Sequence, residues 1–258
     1  IEGRKINKAF DKKIIFKDAE FNIYNGWKVA LIGDNGCGKS TLIKMIMDSE
    51  DGIKVAKGAK VGYFSQDMNI LDDEKSILEN VMDTSIYDET FTRTLLARLL
   101  FRKEDVYKKV SLLSGGERVK VSFAKLMLQD INILILDEPT NYLDINSMEI
   151  VEEALRAYNR TIFFVSHDRS FVRTIADHIM TIENKKIKIF NGNLDEYLKV
   201  INRVYDYNKE RKEQEIFILE NKLSEIIGKL SMPSKRDDVD HLDKEYQEIL
   251  RKLKKLKC

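Results

Sequence analysis

Several things are missing from this sequence. It has almost no net charge, because 44 lysines and arginines face 43 aspartates and glutamates across 258 residues, leaving +1. No global field draws the chain to nucleic acid or to a membrane, although local patches remain free to do so. It contains no apolar run of about 18 residues, the length a helix needs to cross a bilayer, and it opens with no signal peptide. Its two cysteines, Cys37 and Cys258, lie far apart and make no disulfide framework, which suits a reducing cytoplasm. The first residue is Ile1, not Met, so the sequence reads as a piece of a longer protein. Ile1-Glu2-Gly3-Arg4 suits an opening strand and also spells a protease recognition site. What is present is core material: 43% of residues are hydrophobic, enough for one large domain or a domain with an extension.

The most informative stretch is Gly33 to Thr41, GDNGCGKST. The apolar run Lys28 to Ile32 precedes it and reads as a strand, and Leu42 to Met47 reads as the first turns of a helix. Strand, glycine loop and helix start form the setting in which Gly-x4-Gly-Lys-Ser, here Gly33 to Ser40, makes a phosphate cradle. Glycines let successive N–H groups turn toward an anion, and the helix adds its own unpaired N–H groups and dipole. Lys39 would reach the β- and γ-phosphates, and Ser40 would offer its hydroxyl to Mg²⁺.

Around this loop the chain alternates strands and helices, an α/β arrangement. Residues 1 to about 32 read as strands, with Tyr24-Asn25-Gly26-Trp27 as an Asn-Gly hairpin signal. Val61 to Phe64 reads as a short strand, Ser76 to about Leu100 as helical, and Val119 to Leu128 as an amphipathic helix. Ile133 to Leu136 and Thr161 to Val165 are fully apolar, as strands buried on both faces of a parallel sheet must be. Beyond residue 200 the apolar positions fall at helical spacing, first at Ile216, Leu219, Leu223, Ile226 and Leu230. They resume at Leu242, Tyr246, Ile249, Leu253 and Leu256. Ser231-Met232-Pro233-Ser234 breaks the pattern, predicting an antiparallel hairpin of two amphipathic helices.

Three further stretches carry chemistry. In LLSGGE, Ser114 reads as the N-cap of a helix starting near Arg118, with Gly115 and Gly116 exposing backbone N–H groups. ILILDEPTNYLD ends a buried strand in Asp137-Glu138, at the edge of an α/β sheet where ligands bind. Asp137 can hold Mg²⁺ and Glu138 can deprotonate an attacking water. FFVSHD ends a second apolar strand at His167, which could donate a hydrogen bond to a γ-phosphate.

Taken together, these residues resemble an ATP-binding cassette of the ABC type over about residues 1 to 195. Walker A (Gly33 to Thr41), the Q-loop glutamine (Gln66), the signature (Leu113 to Glu117), Walker B (Ile133 to Asp137), the catalytic glutamate (Glu138), the D-loop (Asn141 to Asp144) and the switch histidine (His167) follow in family order. The resemblance implies a P-loop NTPase fold with an antiparallel β subdomain and a short helical subdomain at about 76–128. A cassette over 1–200 would be followed by a C-terminal helical hairpin over 201–258. It implies an adenine-stacking Phe10 and ATP phosphates held by Gly33, Asn35, Gly36, Cys37, Gly38, Lys39, Ser40 and Thr41. It implies Mg²⁺ at Ser40, Gln66 and Asp137, and ATP hydrolysis by Glu138, His167 and Lys39. Ser114 and Gly116 would touch the γ-phosphate bound by a second cassette facing head to tail, with Asp144 at the seam.

Among cassette classes, the interval from Gln66 to Ser114 is too short for the long coiled coil of a chromosome-maintenance ATPase, and short for a transporter subunit. LDEPTNYLD, with Tyr142, and SGGERVKVSFAKLML are similar to ABC-F proteins, soluble tandem-cassette ATPases that act on the ribosome, including antibiotic-resistance branches. The expected partners are therefore a second cassette and the ribosome. Arg251, Lys252, Lys254, Lys255 and Lys257 would suit rRNA phosphates. The alternative is the nucleotide-binding subunit of an ABC membrane transporter.

Overall fold

A computed structural model describes residues 1–257 apart from 12, 66–69, 142 and 232–238. In the C-terminal helices it describes backbone alone at 204–214, 217, 224–225, 228–231, 239–243 and 255–257. The contacts divide the chain into two units, Ile1–Tyr197 and Leu198–Cys258.

The first unit holds two sheets. β1 (Glu2–Phe10), β2 (Lys13–Asn22) and β4 (Ile53–Lys54) form an antiparallel sheet in the order β2-β1-β4. β3 (Lys28–Ile32), β5 (Val61–Phe64), β6 (Ile133–Asp137), β7 (Thr161–Val165), β8 (His178–Glu183) and β9 (Lys186–Asn191) form the second, in the order β5-β6-β7-β3-β8-β9. Its strands are parallel except β9, which returns from β8 as an antiparallel hairpin. β6, β7 and β3 lie inside the sheet, and their apolar runs are buried throughout or nearly so.

The Asn-Gly signal does not make a hairpin. A turn is there, with Gly26 at φ 83°, but β2 and β3 belong to different sheets. The reason is their patterning. β2 mixes exposed with buried residues and alternates them from Asp18 to Asn22, as befits an antiparallel strand with a solvent face, while β3 is apolar on both faces and pairs in parallel with β7 and β8. The hairpin lies earlier, where β1 turns into β2 at Asp11 and pairs Phe10 with Lys13.

α1 (Lys39–Met47) follows β3 directly. The single helical stretch read from Ser76 to Leu100 is two helices, α2 (Ile77–Met82) and α3 (Glu89–Arg98). Each has its own cap: Ser76 accepts from Glu79 N–H, and Asp88 from Phe91 N–H. Two 3₁₀ turns, Lys103–Tyr107 and Val110–Leu112, lead into α4 (Gly115–Met127), which begins at Gly115, ahead of the expected Arg118. With these helices Ile77, Val81, Leu96, Val110, Val121 and Ala124 build a separate apolar cluster. α5 (Ile145–Ala157) and α6 (Arg169–Ile175) flank β7 in sequence.

The second unit takes most of α7 (Leu194–Ser231) and α8 (Val239–Lys257). Ile226, Ile249 and Leu253 are buried together, with Ile216, Leu219, Leu223 and Tyr246 packed against them, and Lys222 pairs with Glu245 at 2.6 Å. These are the contacts of a helical hairpin. The predicted break at Met232 to Ser234, and the side chains of Leu230, Leu242, Leu256, Lys255 and Lys257, lie outside the described residues.

Phe163, fully buried in β7 between β6 and β3, tests the parallel core. Phe163→Ala is expected to lower unfolding stability by about 3–5 kcal/mol, seen as a shifted urea midpoint with an unchanged slope.

Candidate functional site

Of the helices α1 to α6, five are capped by a side chain: α2 by Ser76, α3 by Asp88, α4 by Ser114, α5 by Asp144 and α6 by Asp168. α1 is different. Its N-cap is Gly38, at φ 118°, and no side chain caps it. Its first-turn N–H groups are thus left without a side-chain acceptor, the condition for an anion site at a helix start. Glycine at 38 is required by space as well as by φ, since a Cβ there would stand 2.5 Å from Ile15 Cγ2 and 3.1 Å from Phe16 Cζ.

A cavity of about 700 Å³ opens at this helix start. The β1–β2 hairpin contributes Phe10, Lys13 and Ile15. The loop and α1 contribute Asn35, Gly36, Gly38, Lys39, Ser40 and Thr41. The C-terminal edges of β6 and β7 bring Asp137, Glu138, Val165 and His167, with Thr140, Asn141 and Asp168 beside them. The structure therefore gathers ten of the predicted residues, from four distant parts of the chain, around one space. Gly33 is engaged through its carbonyl, which accepts from Lys39 Nζ at 2.7 Å, and Asp34 O accepts from the same atom at 3.2 Å. Cys37 faces a neighbouring shallow hollow with Lys185 and Asn184. Gln66 and Tyr142 lie outside the described residues.

Ser114 and Gly116 are not among the residues lining this cavity. Ser114 is tied into a capping box: its Oγ accepts from Glu117 N–H at 3.3 Å, and Glu117 Oε2 accepts from Ser114 N–H at 2.9 Å and from Ser114 O–H at 2.8 Å. These bonds hold the Glu117 carboxyl below its usual range. Asp144 accepts from Ser147 N–H at 2.8 Å and starts α5.

The two carboxylates at the sheet edge are held differently. Burial, and then the neighbouring Glu138 charge, push the Asp137 carboxyl up, against smaller opposing effects of a Tyr63 hydrogen bond and of Lys39 and Lys44. Glu138 takes φ 51°, an uncommon conformation for a residue with a Cβ. Its N–H is fixed to Val165 O at 2.9 Å. Its carboxylate accepts from His167 N–H at 3.2 Å, and His167 Nε2 is 3.3 Å from Glu138 Oε1. Backbone strain of this kind collects at functional sites.

Mg²⁺ fits this donor set. The half-buried Asp137 and its adjacent carboxylate favour a cation between them and an anionic ligand, and Ser40 adds a hydroxyl to the cavity lining. Among the described residues no group of three or more His, Cys, Asp or Glu forms a protein-only cage. Mg²⁺ commonly binds through one or two carboxylates together with substrate phosphates.

Sequence reasoning missed Lys13, Ile15, Thr140 and Asp168 at the cavity. Lys13 and Ile15 open β2, where Ile15 and Phe16 are buried in succession, and nothing in the sequence says that this end of the strand meets the glycine loop. A second hollow of about 590 Å³, beside α3 and α5, is lined by Ile86, Tyr87, Phe91 and Tyr158 among others and holds none of the predicted residues.

This fold and this residue set define an ATP-binding cassette, and residues 16–141 match the family model described as ABC transporter. The chain is an ABC cassette, and in sequence it is similar to the ABC-F group. It is 38% identical over 209 residues to ABC transporter F family member 5 of Arabidopsis thaliana, covering 77% of this chain and 30% of that protein. It is 34% identical over 265 residues to the ribosome protection protein VmlR of Bacillus subtilis (strain 168), covering 99% of this chain and 46% of that protein. The chain thus spans less than half the length of these relatives. Among solved structures, a dimeric bacterial ABC transporter cassette matches with a TM-score of 0.59 at 19% identity, over 74% of this chain and 97% of that one. No described helix is long and apolar enough to cross a membrane.

The raised Asp137 sets a pH dependence. A carboxyl whose folded pKa lies above its unfolded value binds more protons folded than unfolded in the window between the two. Stability therefore falls as pH rises through that window. Asp137→Asn, which removes the half-buried charge, is expected to unfold at a higher temperature than the parent at neutral pH without Mg²⁺. The gain should vanish below the usual carboxylate range, where Asp137 is protonated in both states. Thermal unfolding of both proteins across pH checks this.

Proposed function

We propose that this chain is the second cassette, with its C-terminal extension, of a soluble, cytoplasmic tandem-cassette ABC-F ATPase that acts on the ribosome, as a translation factor or in antibiotic target protection. The observation that carries the nucleotide half of this reading is the uncapped start of α1, open to a cavity that also holds Lys39 and the Asp137-Glu138 pair. The ribosomal half is supported by the similarity to VmlR, a ribosome protection protein, which extends over nearly the whole chain, including α7 and α8. Exposed Arg251, Lys252 and Lys254 on α8 add a basic stripe suited to RNA phosphates.

In this reading the base of ATP stacks on Phe10. The N–H groups of Gly36 to Thr41 take the phosphates, and Lys39 leaves the Gly33 and Asp34 carbonyls for the β/γ-phosphates. Ser40 and Asp137 would hold Mg²⁺, which would neutralise phosphate charge; Gln66 would join them on the strength of its motif position alone. Glu138 accepts the proton of a water whose oxygen attacks the γ-phosphorus while the bond to the β-phosphate oxygen breaks, releasing ADP and phosphate. His167 positions the Glu138 carboxylate. Ser114 and Gly116 serve the γ-phosphate of a second cassette, so one chain binds ATP and hydrolyses it poorly alone. Their exclusion from this chain's own cavity supports that division.

The test uses the full-length protein carrying Glu138→Gln. The glutamine keeps the shape and loses the base, so ATP binding is expected to survive and turnover to fall about 10²–10⁴-fold. The variant should co-sediment with ribosomes in ATP and not without it, and should arrest translation in a cell extract. Fractionation with membranes and no effect on translation would decide for a transporter subunit instead.

A further inference from the structure

The cavity contains a second ammonium group that the motifs do not account for. Lys13 opens β2, directly across the hairpin from Phe10. Its Nζ donates to the Gly36 carbonyl at 3.3 Å and lies 3.7 Å from where a Cβ on Gly36 would stand. Lys39 is likewise held by backbone carbonyls of the loop, those of Gly33 and Asp34. Neither lysine has a carboxylate partner among the described residues. Lys8, which lies 5.7 Å from the centre of the Phe10 ring, is by contrast committed to Glu50 at 2.6 Å.

Charge makes the difference consequential. The lining of the cavity carries three carboxylates, Asp137, Glu138 and Asp168, and two ammonium groups, Lys13 and Lys39. Without Lys13 a polyphosphate would enter against three carboxylates with one lysine to offset them. A neutral carbonyl is a weak partner for an exposed ammonium, and a phosphate oxygen is a stronger one, so Lys13 can exchange the Gly36 carbonyl for phosphate at small cost. The two lysines are placed differently: Lys39 acts electrostatically on Asp137, whereas Lys13 pairs across the hairpin with Phe10.

We propose that Lys13 is a specificity-determining residue of this nucleotide site, meeting the phosphate nearest the base and so recognising ATP and ADP alike, while Lys39 serves the outer phosphates. The inference rests on the reading of the cavity as an ATP site. The experiment measures MgATP and MgADP binding by calorimetry for the whole chain and for Lys13→Met, Lys13→Gln, Lys13→Arg and Lys39→Ala. Thermal unfolding without nucleotide confirms that each variant is folded. Lys13→Met and Lys13→Gln are expected to weaken both nucleotides by a similar factor, about fivefold to tenfold, with the deficit shrinking in high salt and Lys13→Arg restoring most of it. Lys39→Ala should weaken ATP far more than ADP. Folded Lys13→Met and Lys13→Gln proteins that bind both nucleotides like the parent would overturn the proposal, as would a loss confined to ATP. A parent chain that binds neither nucleotide would overturn the ATP reading itself.

Discussion

Gly38 turns at φ 118° with Ile15 and Phe16 pressed against the place where its side chain would be, and this contact joins the antiparallel sheet to the parallel one at the start of α1. Much of the site follows from it. β3 is held in the middle of its sheet by β7 and β8, so the loop after it must emerge at that sheet's C-terminal edge. The β1–β2 hairpin can close over the loop only if position 38 has no side chain. With glycine there, no side-chain oxygen caps the helix, and the hairpin delivers Phe10 and Lys13 to the rim. Tight packing and the vacant N–H groups are therefore two results of one residue, and any side chain at 38 would disturb both.

The same edge carries a cost that packing does not repay. Asp137 is pushed toward its neutral form by burial and by Glu138 beside it, and Glu138 occupies a backbone conformation uncommon for a side-chain-bearing residue. Hydrogen bonds to Val165 O and from His167 N–H hold Glu138 against relaxation. Such an arrangement is unfavourable in the empty cassette, and a cation beside the two carboxylates would relieve it. The buried aliphatic strands β6 and β7 offset the penalty, which is why the pair sits at the end of the strongest part of the core.

What could be read from the sequence was whatever depends on neighbours in the chain. The strand–loop–helix around Lys39, the buried runs of β6 and β7 and the cap at Ser114 are local, and periodicity or spacing reveals them. The split between α2 and α3 was legible in principle, because Asp88 is a cap residue, but a continuous polar-rich helical pattern hid it. The Asn-Gly turn misled because that signal specifies a turn and not its partners: which sheet a strand joins is decided by burial on both faces. Lys13 and Ile15 were out of reach for the same reason. Their role depends on Gly38 and Gly36 arriving from another part of the fold, and no local pattern encodes that meeting.

Ser114 shows why, in the proposed function, association of two cassettes would depend on ATP. Its hydroxyl proton already points to the Glu117 carboxylate, which the capping bonds keep ionised, and its oxygen already accepts from Glu117 N–H. A γ-phosphate offered by another cassette must win that proton from a carboxylate 2.8 Å away while bringing its own negative charge close to it. Only a ligand that also engages the N–H groups at the start of α4, exposed by Gly115 and Gly116, gains enough to do so. A γ-phosphate offers three oxygens for this, and water offers far less. Loss of the γ-phosphate would return the hydroxyl to Glu117 with its bonds complete, so the open state needs no rearrangement to be stable. On this argument the capping box sets the resting state of the signature, and the nucleotide is what displaces it.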